Sequence, residues 1–324
     1  MTDRILITGG SGFVGTNLMQ QCLDRGRPVL SLDPLPPRNS RHREHWRKAD
    51  LLDESSLAEA IREFRPRFVI HLAARTDLEE KERISGYAAN TDGVASLLGA
   101  IGRCGTVERV IFASSQLVCR IGYVPRSDSD YAPNTLYGES KVLGEKIVRE
   151  RDGAGVEWCI VRPTTVWGPW CNPPQRKFLE LIRKGRYFHV GSGKLRKSYG
   201  YVGNICHQLV ALMEADKSRI LRKTLYLADY EPISLRDWAD AFQRELGAPK
   251  IATCPLPLAK AAAILGDVIQ GMGVKDFPFT SFRLGNILAE YVFDLSGTRE
   301  IVPGLPFSME EGVKETVRWL QSSE

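Results

Sequence analysis

Tyr137 and Lys141 stand four residues apart in Tyr137-Gly138-Glu139-Ser140-Lys141, at the start of a stretch with helical patterning. That spacing sets both side chains on one helix face. An ammonium beside a phenol favours the phenolate and draws the tyrosine pKa toward neutrality, which makes Tyr137 a general acid/base for a sugar hydroxyl or a ketone. Alone, the pair equally fits a packed tyrosine beside a solvated lysine. The weight comes from Ala113-Ser114-Ser115, just past the apolar run Val110-Ile111-Phe112. A hydroxyl there lies at the C-terminal edge of a strand, where open α/β sheets bind their ligands.

A second constellation precedes it. Thr8-Gly9-Gly10-Ser11-Gly12-Phe13-Val14-Gly15 follows the strand-like Ile5-Leu6-Ile7 and opens a helix. Glycines at 9, 12 and 15 allow a tight turn and let backbone N–H groups approach a pyrophosphate, with the helix N-terminus adding favourable dipole charge. Asp33 ends the next strand about 20 residues on, where a carboxylate accepts from ribose hydroxyls and repels a 2′-phosphate. The expected cofactor is NAD rather than NADP, although Arg38 and Arg41 follow closely. Lys141 is a further candidate for the nicotinamide ribose.

The elements that must position these residues alternate through the first half. Strands are expected at 5–7, 29–32, 68–72, 110–112 and 158–161, with a short segment near Trp46. Helices are expected over about 13–25, 54–64, 87–103 and 135–151. Short, nearly all-apolar strands between amphipathic helices predict a parallel sheet covered on both faces, hence an α/β, doubly wound Rossmann architecture. After Arg162-Pro163 the rhythm breaks at Pro163, Pro169, Pro173 and Pro174. The expected division is a dinucleotide-binding domain over 1–168, a strand and helix rejoining its sheet at about 199–228, and a smaller C-terminal α/β substrate-binding domain over 169–324.

Composition excludes other classes. No apolar run approaches the roughly 18 to 20 residues that span a bilayer, and the chain enters a strand at Ile5 without a basic leader and apolar core. A cytoplasmic protein without a membrane partner is expected. The seven cysteines are scattered singly and the five histidines lack ligand spacing, so neither a disulfide framework nor a metal site is expected. The net charge of +5 comes without a nucleic-acid-binding module, which fits an enzyme with an anionic substrate better than a nucleic-acid partner. His71, ending an apolar strand, reads as a packed, hydrogen-bonded histidine rather than a base.

These segments, with Ala49-Asp50-Leu51, His71-Leu72-Ala73-Ala74, Asn90, Ser114-Ser115-Gln116-Leu117-Val118, the run 162–169 and the run 191–204, form an ordered set. Over nearly the whole chain it resembles the extended short-chain dehydrogenase/reductase superfamily, specifically its NAD-dependent nucleotide-sugar epimerase/dehydratase group. The resemblance implies Ser115 as a third catalytic residue beside Tyr137 and Lys141, with Ser114 the alternative. It implies a cofactor site of Gly9, Gly12, Phe13, Val14, Gly15, Asp33, Asp50, Leu51, Leu72, Ala73, Ala74, Asn90, Tyr137, Lys141 and Pro163. For the substrate it implies Arg75, Thr165 and Lys197, with Arg196 close behind, and for the assembly a homodimer through the helices near 87–103 and 135–151.

Departures narrow the chemistry. Gln116-Leu117 stands where the family's 4,6-dehydratases carry an Asp-Glu pair, and its decarboxylases place a Glu at the position of Leu117. Thr165 replaces a common Asn, and Lys197 replaces an Arg that binds the diphosphate; a lysine lacks the bidentate fork. The leading expectation is 4-epimerisation of a nucleotide-diphosphate sugar through a transient 4-keto intermediate. The alternative is a 4-keto-sugar reductase or hydroxysteroid-type dehydrogenase with an exchanging cofactor. A non-catalytic dinucleotide sensor comes last, because it need not keep Ser115, Tyr137 and Lys141 together.

Overall fold

The computed structural model describes residues 3–274 and 279–322. Its centre is an all-parallel, seven-stranded sheet. Six of the strands come from the first half: β1 (Ile5–Thr8), β2 (Val29–Asp33), β3 (Trp46–Lys48), β4 (Phe68–His71), β5 (Arg109–Ala113) and β6 (Glu157–Pro163). Between them run α1 (Phe13–Asp24), α2 (Glu54–Phe64), α3 (Asp92–Gly102) and α4 (Leu136–Glu150). Successive strand residues bury on opposite faces: Ile5, Ile7, Ile70 and Ile111 join one core, and Leu6, Val69 and Val110 join the other. That double burial is why the strands read as continuous apolar runs.

The strands after β6 are β7 (Thr165–Trp167), β8 (Phe188–Val190), β9 (Arg196–Lys197), β10 (Tyr199–Tyr201), β11 (Thr224–Leu227), β12 (Ile233–Ser234) and β13 (Ala252–Cys254). The order across the main sheet is β11-β6-β5-β4-β1-β2-β3. It reverses direction between β1 and β4, which opens a crevice at the strands' C-terminal ends. Register brings Thr8 level with both Leu32 and His71, so Gly9, Asp33 and Leu72 share one edge.

The remaining helices are α5 (Pro173–Arg183), α6 (Val202–Glu214), α7 (Lys217–Ile220), α8 (Leu235–Glu245), α9 (Leu256–Gly271), α10 (Ser281–Leu288), α11 (Ser296–Ile301) and α12 (Met309–Ser322). Within 199–228, β11 lies parallel to β6, α6 packs on α1, and β10 pairs with β7. The smaller C-terminal part pairs β8 with β13 and β9 with β12, and lays α9 on α10. Among the described residues no helix is long and apolar enough to cross a membrane.

Two local results bear on the site. Thr135 caps α4 by accepting from the Gly138 amide at 3.0 Å, which fixes Tyr137 in the first turn. The helix expected over 87–103 is instead a 3₁₀ turn, Ile84–Asn90, followed by α3. Asn90 uses its side chain on the backbone of Arg75 and on Ser140, which holds the chain in the tighter turn.

Candidate active site

A cleft of about 690 Å³ runs along the C-terminal edge of β1, β2, β4, β5 and β6. Its floor is the glycine turn. Gly9 has φ +79°, and a Cβ there would lie 2.6 Å from the Ala73 nitrogen; one on Gly15 would lie 2.1 Å from the Gly9 carbonyl. Side chains are therefore excluded where strand, turn and helix come closest. Gly12 is the N-cap of α1 and supplies no side-chain cap, leaving the first amides of the helix to a ligand. A pyrophosphate fits this cradle.

Asp33 borders the cleft. Its carboxylate accepts from the amides of Ser11 at 3.1 Å and Leu35 at 2.9 Å, which keeps it aimed at the turn. Burial raises its pKa, and the two amides and nearby Arg38 oppose that rise. Phe13, Val14, Asp50, Leu51, Leu72, Ala73, Ala74 and Pro163 also line the cleft. His71 does not. It is buried behind the wall, bonded through Nδ1 to the Thr8 hydroxyl at 2.7 Å, and burial pushes it down to about 3.

Ser115, Tyr137 and Lys141 meet at one end of this cleft. Ser115 accepts from the Leu117 amide at 3.1 Å, so its own proton remains to donate. The Ser115 hydroxyl favours the ionised form of the Tyr137 phenol. The pKa expectation for Tyr137 is corrected here: its pKa is raised, because desolvation of a phenolate outweighs the effect of Ser115. Lys141 sends its ammonium to the Ala113 carbonyl at 2.6 Å. Burial brings its own pKa down to about 8, against the opposing charge of Glu145. The trio as folded is a neutral phenol that lines the same cleft end as a hydroxyl and a lysine, and that arrangement serves proton donation to a carbonyl oxygen.

Other residues singled out from the sequence stand elsewhere. Asn90 is a buried brace behind the wall rather than a cleft residue. Arg75 lines the cleft, but its guanidinium is bound to Asp77 at 2.8 Å and to the Gly86 carbonyl at 2.9 Å. Thr165 lies outside this lining; it accepts from Gln116 Nε2 at 3.2 Å and shares a 3.3 Å contact with the Tyr291 hydroxyl. Arg196 donates to the Pro232 carbonyl at the surface. Lys197 is buried, donates to the Asn286 carbonyl at 2.7 Å and lies over the Tyr291 ring.

Several lining residues were not foreseen: Ser11, Leu35, Val166, Asn172 and Leu209. Leu35 had a signal, since Pro34 and Pro36 hold the chain extended just after Asp33. Leu209, from α6, had none, because only the return of that helix brings it there. Gln116 Oε1 and Ser114 Oγ are buried beside Ser115 without a protein partner. They are further polar groups at the reacting end.

The chain matches the NAD dependent epimerase/dehydratase family over residues 5–222. The "3 beta-hydroxysteroid dehydrogenase/Delta 5-->4-isomerase" of Mycobacterium tuberculosis is 31% identical over 250 residues, covering 73% of this chain and 67% of that protein. The N-acetyl-alpha-D-glucosaminyl-diphospho-ditrans,octacis-undecaprenol 4-epimerase of Escherichia coli O157:H7 is 26% identical over 333 residues, or 98% of this chain and 96% of that one. Of solved structures, UDP-glucose 4-epimerase from Thermotoga maritima has the same fold, with a TM-score of 0.76 over 99% of both chains at 20% identity. Since the family match takes in well over half of the sequence, the protein is an NAD-dependent enzyme of the epimerase/dehydratase family.

Proposed function

We propose that this enzyme interconverts a secondary alcohol and its ketone on a neutral, largely apolar ring substrate, as a hydroxysteroid-type dehydrogenase does. One observation carries the reading. The three cations singled out for an anionic substrate, Arg75, Arg196 and Lys197, all have their charged groups engaged within the protein. A diphosphate would have to share these groups with their protein partners, whereas Gln116, Thr165 and Tyr291 offer a neutral polar row. The similarity to the mycobacterial hydroxysteroid dehydrogenase supports the same reading.

NAD, when bound, supplies or takes up the hydride. In the reducing direction Tyr137 gives its phenolic proton to the ketone oxygen as the carbon gains hydride, and Ser115 donates a hydrogen bond to that oxygen. Lys141, anchored on Ala113, keeps a positive charge close to the phenolate that remains. Oxidation runs the same transfers backward and needs the deprotonated phenol, so its rate climbs with pH. Reduction uses the phenol in its resting form.

A second reading, 4-epimerisation of a sugar carried on a diphosphate, is favoured by the nearly full-length similarity to the Escherichia coli epimerase. The same trio would serve it. Under either reading we take the protein as a homodimer through α3 and α4, which sedimentation equilibrium checks. The discriminating experiment follows NADH with a panel of 3-hydroxysteroids and, separately, epimerisation of UDP-sugars without net NADH. Steroid-dependent NADH formation is expected. Sugar epimerisation with no steroid turnover would reverse the order of the two readings. Tyr137→Phe should lower turnover at least about a hundredfold while NAD binding is kept; retained activity would remove Tyr137 from the mechanism.

A further inference from the structure

Helices α9 and α10 and the turn after α9 hold the densest group of exposed apolar side chains among the described residues. α9 buries Ala259, Ala263 and Gly266. A helix buried on one side ordinarily turns polar residues outward. Here Leu258, Ala261, Leu265, Val268 and Met272 recur outward at steps of three and four. Leu258, Leu265 and Met272 are 63%, 59% and 79% exposed, and Phe282 on α10 is 63% exposed. Phe188 of β8, its ring 5.6 Å from that of Phe279, extends the surface to a third element. Monomeric proteins seldom leave an apolar area of this breadth to water.

Charge marks what covers it. Residues 183–194, which run through β8, carry exposed Arg183, Lys184, Arg186 and Lys194 and no acid, with Lys184 3.9 Å from Glu180. Because β8 pairs with β13 and β13 leads into α9, exposed Lys184 and Arg186 flank the apolar surface, as do exposed Lys250 and Lys260. Two acids stand in the same region: Asp267 of α9, which accepts from the Ser281 amide, and Glu290, which accepts from the Arg196 amide; the exposed cations outnumber them. A second copy placed across a two-fold axis would set these cations against their own kind. An anionic surface pairs with them.

The geometry points to the cytosol-like face of a lipid bilayer bearing anionic headgroups as the partner of this surface. α9, about 24 Å long for its 16 residues, is too short to span but long enough to lie in the plane. Its outward stripe enters the acyl boundary while the lysines and arginines meet the headgroups. This departs from the expectation of no membrane partner. It also has a consequence for access: α10 is tied through Asn286 to Lys197, and the chain following it carries Tyr291 to Thr165, so the docked surface adjoins the substrate side.

The test is flotation of the full-length protein with vesicles of equimolar phosphatidylcholine and phosphatidylglycerol. Binding is expected, weakened by salt and by omission of phosphatidylglycerol. The variant Leu258→Ser/Leu265→Ser/Met272→Ser should bind at least about tenfold more weakly while its NAD affinity is unchanged. Hydrogen exchange of the unmodified protein on the same vesicles should slow within 256–274 and 281–288, which reads the contact even if the variant misfolds. Failure of the native protein to float overturns the proposal, as does protection confined to other segments. Self-association through this face, lost in the variant without lipid, would also overturn it in favour of a second copy. Vesicle binding needs no substrate, so a negative steroid screen and a negative flotation are separate results.

Discussion

At the scale of single residues, burial outweighs pairing for the charged groups that matter. Lys197 illustrates this: burial brings its pKa from the usual 10.5 down to about 8. Between those values the folded chain has shed the proton and the unfolded chain still holds it. Stability therefore rises with pH from about 8 to 10.5 through this group. Replacing it, Lys197→Met, should flatten that rise in urea titrations at pH 8, 9 and 10; an unaltered slope would show that Lys197 does not titrate there. Lys141 has the same sign and a similar window. His71 works at the acid end, where a pKa of about 3 makes the protein lose stability as pH falls from the usual 6.5. Asp229, raised by burial to about 6, opposes it as pH falls from about 6 to 3.8.

At the scale of elements, the site depends on two close approaches. In the glycine turn, Gly15 sits where a Cβ would meet the backbone of Gly9 and Gly10. Gly15→Ala must displace the turn from the helix, and NAD affinity is expected to fall by at least about tenfold, measured by calorimetry. An undiminished affinity would mean that the turn can move without cost to the cofactor. On α4, Tyr137, Lys141 and Glu145 follow at intervals of four, and all three are buried. Glu145 bonds the buried Arg162 of β6 at 2.8 Å through each carboxylate oxygen, tying the catalytic helix to the sheet. Glu145→Ala leaves the guanidinium without its counter-charge, and a loss of about 3–5 kcal/mol is expected in denaturant unfolding. Since Glu145 also supports the charge on Lys141, the variant should lose activity at lower pH than the native enzyme.

At the scale of the whole molecule, what happens to NAD between turnovers separates the two functional readings. A dehydrogenase must release the cofactor to be reoxidised or rereduced, so dialysis should empty the site and added NAD should refill it. An epimerase returns the hydride to the substrate and has no need to let NAD go. Mass spectrometry of the nucleotide freed on denaturation is expected to show far less than one NAD per chain after dialysis. Near-stoichiometric retention would favour the epimerase.

Much of this was legible in the residues because it is local. The strands β1, β2 and β4 to β6 and helices α1, α2 and α4 follow from periodicity, and the turn at Gly9–Gly15, the reach of Asp33 and the Tyr137–Lys141 spacing are set within one βα unit or one helical turn. What lay beyond the sequence depends on partners brought from afar. Leu209 reaches the cleft only because α6 returns to pack on α1. Asn90 became a brace once Ser140 lay beside it. Arg75, Arg196 and Lys197 read as free cations until Asp77, Pro232 and Asn286 claimed them. The direction of the Tyr137 pKa likewise turned on burial, a property of the packed molecule that spacing along a helix does not contain.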